Sequence, residues 1–418
     1  MAGLRWSVFL AVFAWELSVA WAADPLVGHQ EKVKVSDATR LDWTFVLASK
    51  SLDAPLEQWK MATYDSKRQF YELYVPVGAG AKTPCGIVLF LSAGKSPVGF
   101  PNFERACKEF NLIFACPYDA GNDVDPPRRV RIALDVLDDV RRKYPTNPDR
   151  TYIGGFSGGA RVASAIAFAL PELFGGLIGV CAADNLRDES WLTQRAVDRL
   201  SVALLTGDGD FNRGELETFR GPLLKELGVR TTVRVYGKMG HSMPNAQQVV
   251  EIVRWLDEAE PHRAAFAKKY PASRLAADNP PTKEDWAKAL LAEALNRFEA
   301  RETQFSGVMQ LHGIVARWPE TTAGREALRR SRQLEAQAER PWEADDLDEQ
   351  RRFLFAKARH LDAYASGPLP KEYEKTRPSM AREALQLWQV LLEDSPDSPA
   401  GKQAARRIPE LRKLAEGN

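Results

Sequence analysis

Apolar and polar positions follow two different rhythms along this chain. Between residues 43 and 256, short unbroken apolar runs rich in Val, Ile and Leu occur at 86–92, 112–117, 176–184 and 201–207. Such runs suit strands buried on both faces of a mostly parallel sheet. The alternating FYELYV at 70–75 predicts an earlier strand, TYIGG at 151–155 another, and TTVRVYG at 231–237 the last. Amphipathic stretches lie between them. One opens at Asp125-Pro126, places Val130, Ala133, Leu134, Leu137 and Val140 on a single stripe, and ends in Arg141-Arg142-Lys143, where cations oppose the helix dipole. A second, at 215–227, stops at Gly228, and a third, at 245–258, turns Val249, Ile252, Val253 and Leu256 inward. Strand and helix in alternation predict a doubly wound α/β sheet with helices on both faces.

After residue 260 the rhythm changes. Pro261, Pro271, Pro280 and Pro281 punctuate a polar stretch. Residues 261–281 therefore read as a linker between a sheet domain of 23–260 and an all-α domain of 282–418. Within the latter, WPETTAGREALRR at 318–330 echoes SPDSPAGKQAARR at 395–407, and Leu311, Ile314 and Val315 match Trp388, Leu391 and Leu392 at the same offsets. Each copy reads as a helix, a short turn, and a second helix opening at Ala-Gly. Helix pairs of this kind bury their faces by stacking. The segment resembles degenerate tetratricopeptide-like repeats without their full consensus; a simple helical bundle accounts for it nearly as well.

A length of 418 residues accommodates two domains, and a formal net charge of +1 argues against a nucleic-acid or anionic-membrane partner. Arg5, the apolar run 6–15 and Ala20-Trp21-Ala22 have the form of a signal peptide over 1–22, although Glu16 interrupts it. The run is too short to span a bilayer. The expectation is a chain exported to the periplasm or beyond after cleavage near Ala22, with no membrane span in its mature form. Export permits disulfides, but Cys116 and Cys181 fall in strand-like runs, and the pairing of Cys85, Cys107, Cys116 and Cys181 stays open. No CxxC or His/Cys cluster suggests a metal.

The chemistry concentrates at Gly155-Phe156-Ser157-Gly158-Gly159, a G-x-S-x-G between a strand and an alanine-rich helix. A serine on so sharp a turn projects its hydroxyl above the sheet, and only small residues fit two positions away. Of the five histidines, His29 precedes the sheet, His262 lies in the linker, and His312 and His360 lie in the helical half. His241, just after the last strand, remains as the base. The acid should follow the strand at 202–206, where Asp210 is preferred to Asp208, with Asp184 an outsider. Gly158 N–H offers one oxyanion donor at a helix N-terminus, and Gly94 N–H, or else Ala93, the second. Arg161 could meet a substrate carboxylate or pair with a nearby acid.

These residues carry a resemblance. PDRTYIGGFSGGA at 148–160, LTGDGDF at 205–211 and Gly240-His241 resemble the α/β-hydrolase superfamily, particularly its secreted polyhydroxybutyrate-depolymerase and feruloyl-esterase-like branch. The resemblance covers less than half of the chain. It implies Ser157 as nucleophile, Asp210 as acid, His241 as base, and no cofactor. Many relatives carry His-Gly where this chain has Ser92-Ala93. The expected activity is hydrolysis of small-molecule or polymeric carboxylic esters. Two rivals are a serine peptidase with the same triad and a weakly catalytic scaffold whose helical half binds a protein partner.

Overall fold

A computed structural model describes residues 27–47, 64–80, 82–275 and 280–417; the signal peptide expected at 1–22 lies outside them. Eight strands form one sheet in the order β1-β2-β4-β3-β5-β6-β7-β8. They are β1 (Gly28–Lys34), β2 (Phe70–Val75), β3 (Cys85–Leu91), β4 (Leu112–Pro117), β5 (Thr146–Phe156), β6 (Gly176–Val180), β7 (Ser201–Gly207) and β8 (Arg230–Tyr236). β2 pairs antiparallel with both β1 and β4, and every pairing from β4 onward is parallel. The apolar runs of β3, β4, β6 and β7 are buried at every position. Helices cover both faces, as parallel strands require.

The helices of this half are α1 (Thr44–Leu47), α2 (Phe100–Glu109), α3 (Pro126–Lys143), α4 (Gly158–Ala169), α5 (Ser190–Arg199), α6 (Gly221–Glu226), α7 (Ala246–Asp257) and α8 (Glu260–Lys269), with a π-helical turn, Glu215–Arg220, leading into α6. One face of the sheet packs Val88, Phe90 and Phe114 with Phe103 of α2 and Ile252 and Leu256 of α7. The other packs Leu89, Ile153 and Leu204 with α3, α4 and α5. This mostly parallel sheet with its layered helices is an α/β-hydrolase fold, followed by an all-helical region.

That region comprises α9 (Lys283–Arg297), α10 (Arg301–Arg317), α11 (Thr322–Glu335), α12 (Glu343–Ser366), α13 (Lys371–Glu374), α14 (Arg377–Asp394) and α15 (Pro399–Glu416). The two echoing stretches make the same turn. Thr321 and Ser398 hydroxyls donate to the carbonyls of Trp318 (2.8 Å) and Ser395 (2.7 Å) and accept from Gly324 N–H (2.9 Å) and Gly401 N–H (3.0 Å). A Cβ at either glycine would fall about 2 Å from those carbonyl oxygens, 2.0 Å for Gly324 and 2.2 Å for Gly401. Leu311, Ile314, Trp388 and Leu391 are all buried at the matched offsets.

The stretch 261–281 differs from the expected linker. Its first residues belong to α8, and Arg263, 1% exposed, donates to Asp149 O (2.8 Å), Leu256 O (3.0 Å) and Tyr152 OH (3.3 Å). Pro261 opens this helix rather than breaking the chain, because a first-turn residue needs no N–H partner. The helical region also shares one continuous apolar core with the sheet's α3–α6 side. Gly313 of α10 brings that helix onto Trp191 of α5, where a Cβ would stand 2.7 Å from the indole. Arg317 of α10 pairs with Glu172, both side chains 1% exposed.

Candidate active site

Ser157 stands between β5 and α4 with φ 53°, ψ −121°, in the left-handed half of backbone space that costs a non-glycine residue energy. Its N–H is anchored to Val180 O at 2.8 Å. The flanking glycines make the turn possible: a Cβ on Gly155 would lie 2.4 Å from the carbonyl carbon of Gly159, and one on Gly159 would lie 2.1 Å from Leu91 O. The serine hydroxyl is thus raised at the carboxyl end of the sheet.

Strands β7 and β8 bring two more groups to it. His241 Nε2 is 2.9 Å from Ser157 Oγ, and His241 Nδ1 is 2.8 Å from Asp210 Oδ1. A carboxylate can only accept, so Nδ1 carries the proton and Nε2 presents its lone pair to the serine hydroxyl. Asp210 also accepts the Asn212 N–H on Oδ1 (3.0 Å) and the Thr206 hydroxyl on Oδ2 (2.7 Å). Burial alone would raise its pKa, but these hydrogen bonds outweigh burial and hold it below the ordinary carboxylate value. Two aromatic rings adjoin the imidazole, Phe211 stacked at 4.1 Å and Phe156 tilted at 5.0 Å.

The other candidates have different surroundings. Asp208 accepts the N–H groups of Lys238 (3.0 Å) and Met239 (3.2 Å), which ties the β7 loop to the loop carrying His241. Asp184 accepts its neighbour's N–H, Asn185 N at 2.8 Å. Gly158 is the first residue of α4, so its N–H has no partner within the helix. Leu91 and Ser92 lie against Gly159 in the first turn of α4, and Gly94 N–H already donates to Ser92 Oγ at 3.0 Å. Arg161 makes two bonds to Glu215, 2.8 and 2.7 Å, and a third to Ala183 O at 2.9 Å. Burial pulls the Glu215 pKa upward, and the Arg161 and Arg220 guanidiniums overcome it and lower it. In residues 185–199, Trp191, Leu192 and Ala196 of α5 are buried in the core.

Three neighbours escaped the sequence reading. Asn122 lies so close to Gly158 that a Cβ there would meet its Oδ1 at 2.0 Å, and that Oδ1 accepts from Arg129 Nη1 at 3.2 Å. Asn212 donates its side-chain amide to Cys181 O at 2.6 Å. Tyr373, from the helical region, donates to Asn212 Oδ1 at 2.6 Å. Among the described residues, Cys181, Asp210 and His241 form a group whose ligand-type atoms lie within 4.8 Å of one another. Burial and the adjacent Asp210 push the Cys181 thiol pKa well up, and Asp210 and His241 are already bonded to each other. All four cysteines are buried free thiols.

No family model matches the chain, and no curated protein matches it. Among solved structures it is similar to a thermostable esterase (18% identity, 46% of this chain and 59% of that one, TM-score 0.36). It is also similar to an S-formylglutathione hydrolase from Agrobacterium tumefaciens (17% identity, 47% and 90%, TM-score 0.32) and to the S-formylglutathione hydrolase FrmB of Staphylococcus aureus (16% identity, 45% and 92%, TM-score 0.36). The match thus spans less than two thirds of the first of these proteins. No helix among the described residues is long and apolar enough to cross a membrane.

Proposed function

We propose that this chain is an exported serine esterase that cleaves carboxylic esters through an acyl-enzyme on Ser157. The observation that carries the reading is the unbroken sequence of hydrogen bonds Ser157–His241–Asp210 at a left-handed strand-to-helix turn. As Ser157 Oγ attacks the ester carbonyl carbon, its proton passes to His241 Nε2, and Asp210 balances the imidazolium charge. The carbonyl oxygen becomes an oxyanion, met by Gly158 N–H and the positive end of α4. Collapse of the tetrahedral intermediate breaks the bond to the alkoxy oxygen, and His241 returns the proton to that leaving alcohol. Water, deprotonated by the same imidazole, then releases the acid and restores the serine.

Gly94 N–H can serve as second oxyanion donor only after its bond to Ser92 Oγ opens. Phe211, 41% exposed, presents an aromatic face to solvent beside the imidazole, in keeping with soluble or polymeric esters.

The test is fluorophosphonate labelling of the mature chain beside Ser157→Ala and His241→Ala. Labelling of the wild type that is lost in both variants supports the reading. A folded wild-type chain that does not label refutes it.

A further inference from the structure

We propose that the helical region acts in the reaction: Tyr373 of α13 is a positioning residue that holds the loop carrying Asp210 through Asn212. The proposal rests on the esterase reading above. Its geometry is a chain of bonds between segments far apart in sequence. The Tyr373 hydroxyl donates to Asn212 Oδ1 at 2.6 Å, across 161 residues. The same asparagine donates its backbone N–H to Asp210 Oδ1 (3.0 Å) and its side-chain amide to Cys181 O (2.6 Å) at the end of β6. Asn212 is 3% exposed, so each of these bonds is costly to leave unmade. Asp210 Oδ1 is also the atom that receives His241 Nδ1–H. A shift of Asn212 therefore moves the acceptor that orients the base.

A second contact runs in parallel. The Tyr373 ring tilts against Phe211 at 6.3 Å, and Phe211 stacks on the His241 imidazole at 4.1 Å. Residues 211 and 212 thus carry the two faces of one support, one touching the base and the other the acid.

Tyr373 is itself firmly held. Its N–H donates to Pro370 O (2.9 Å), and its carbonyl accepts the Thr376 hydroxyl (2.7 Å). Helix α12 grips the following residues of the same segment. Tyr364 packs against Gly214, where a Cβ would approach it to 3.3 Å, and stacks on Phe219 at 6.3 Å. His360 Nε2 meets Glu226 at 2.7 Å. The helical region therefore clasps the stretch between β7 and β8 at residues 212, 214, 219 and 226, and the first of these touches the acid.

The experiment compares wild type, Tyr373→Phe, Asn212→Ala and the double variant on p-nitrophenyl acetate, with fluorophosphonate labelling rates alongside. Arg351→Gln, on the outer surface of α12, serves as a control. Tyr373→Phe keeps the ring and removes only the hydroxyl. The expected result is a fall in kcat of about five- to tenfold, the weight of one hydrogen bond, with KM unchanged and labelling slowed in proportion. Tm should be lowered while the chain stays folded, because Asn212 Oδ1 loses its donor in a buried place. In the Asn212→Ala background, Tyr373→Phe should have no further effect, since the route runs through Asn212. An unchanged kcat, a rise in KM with kcat intact, or an equal loss in the Asn212→Ala background each overturns the proposal while the esterase reading stands. Absence of wild-type labelling defeats the esterase reading first.

Discussion

Asp210→Asn distinguishes two ways in which the acid could serve the base. In one, the amide turns its NH2 toward His241, forces the imidazole into the wrong tautomer, and the rate falls about 10⁴-fold. In the other, the amide oxygen stays at the Oδ1 position, the tautomer survives, and only the charge is lost. The surroundings of Asp210 favour the second. Oδ1 accepts the Asn212 backbone N–H at 3.0 Å, a donor that cannot rotate away. An NH2 placed there would face that N–H donor to donor and leave it unmade, a cost of about 1–3 kcal/mol. Oδ2 accepts the Thr206 hydroxyl, at 2.7 Å, and a hydroxyl can turn from donor to acceptor. What remains is the lost attraction between carboxylate and imidazolium. At about 4 Å this is roughly 4 kcal/mol for an effective dielectric of 20 and roughly 1 kcal/mol in water. His241, with its side chain 21% exposed, sits between these limits. The expected loss in kcat/KM is therefore about 10²–10³-fold, measured on p-nitrophenyl acetate with Tm as the check on folding. A loss near 10⁴ in a folded variant would refute the argument that Asn212 fixes the amide. A loss below tenfold would remove Asp210 from the acid's role.

Other outcomes follow from single contacts. Ser92→Ala frees Gly94 N–H from its acceptor, so ester turnover should rise about fivefold, the weight of one hydrogen bond; a fall would mean that Ser92 supports the loop instead. Gly155→Ala drives a methyl to 2.4 Å from the Gly159 carbonyl carbon, where neither backbone can yield cheaply. It should cost about 1–3 kcal/mol of stability and slow labelling, and a variant with wild-type Tm and labelling rate counts against the compact turn. Burial holds the His360 pKa below the ordinary imidazole value of 6.5 despite the Glu226 carboxylate, and Arg359 pushes the same way. Because the folded pKa lies below the unfolded one, this contribution is complete above the unfolded value and is lost as pH falls toward the folded one. Denaturant titrations should show His360→Gln losing part of the wild type's stability slope just below pH 6.5; an unaltered slope would contradict the sign.

What could be read in the sequence divides along the range of the interactions. The runs of β3, β4, β6 and β7 were legible because strands covered on both faces must be apolar throughout, and each is buried at every position. Candidates for the site were legible by order: serine after β5, aspartate after β7 and histidine after β8 follow from the sheet's winding. The edge strand β1 was not, since GHQEKVK buries Val33 alone and carries no alternation to detect. The helix α8 hid behind Pro261, whose position at a first turn looks, in sequence, like a break.

The largest gap is the bond from Tyr373 to Asn212. A hydroxyl and an amide 161 residues apart leave no periodicity and no local motif, and only the folded chain brings them together. The same holds for Arg317 and Glu172, an almost fully buried pair joining the two halves. Breaking such a pair strands a charge where water cannot reach it, and typically costs about 3–5 kcal/mol. Removing the helical region would strand Glu172, expose the shared core and take away the contacts that Tyr373, Tyr364 and His360 make with residues 212, 214, 219 and 226. The helical region is thus bound to the hydrolase fold by a shared core and by an ion pair whose loss alone is a sizeable fraction of an ordinary domain's stability. Its removal would take away the Tyr373 donor from Asn212, whose own N–H is bonded to Asp210, so the expected outcome is a disturbed Ser157–His241–Asp210 group and not merely the loss of an appendage.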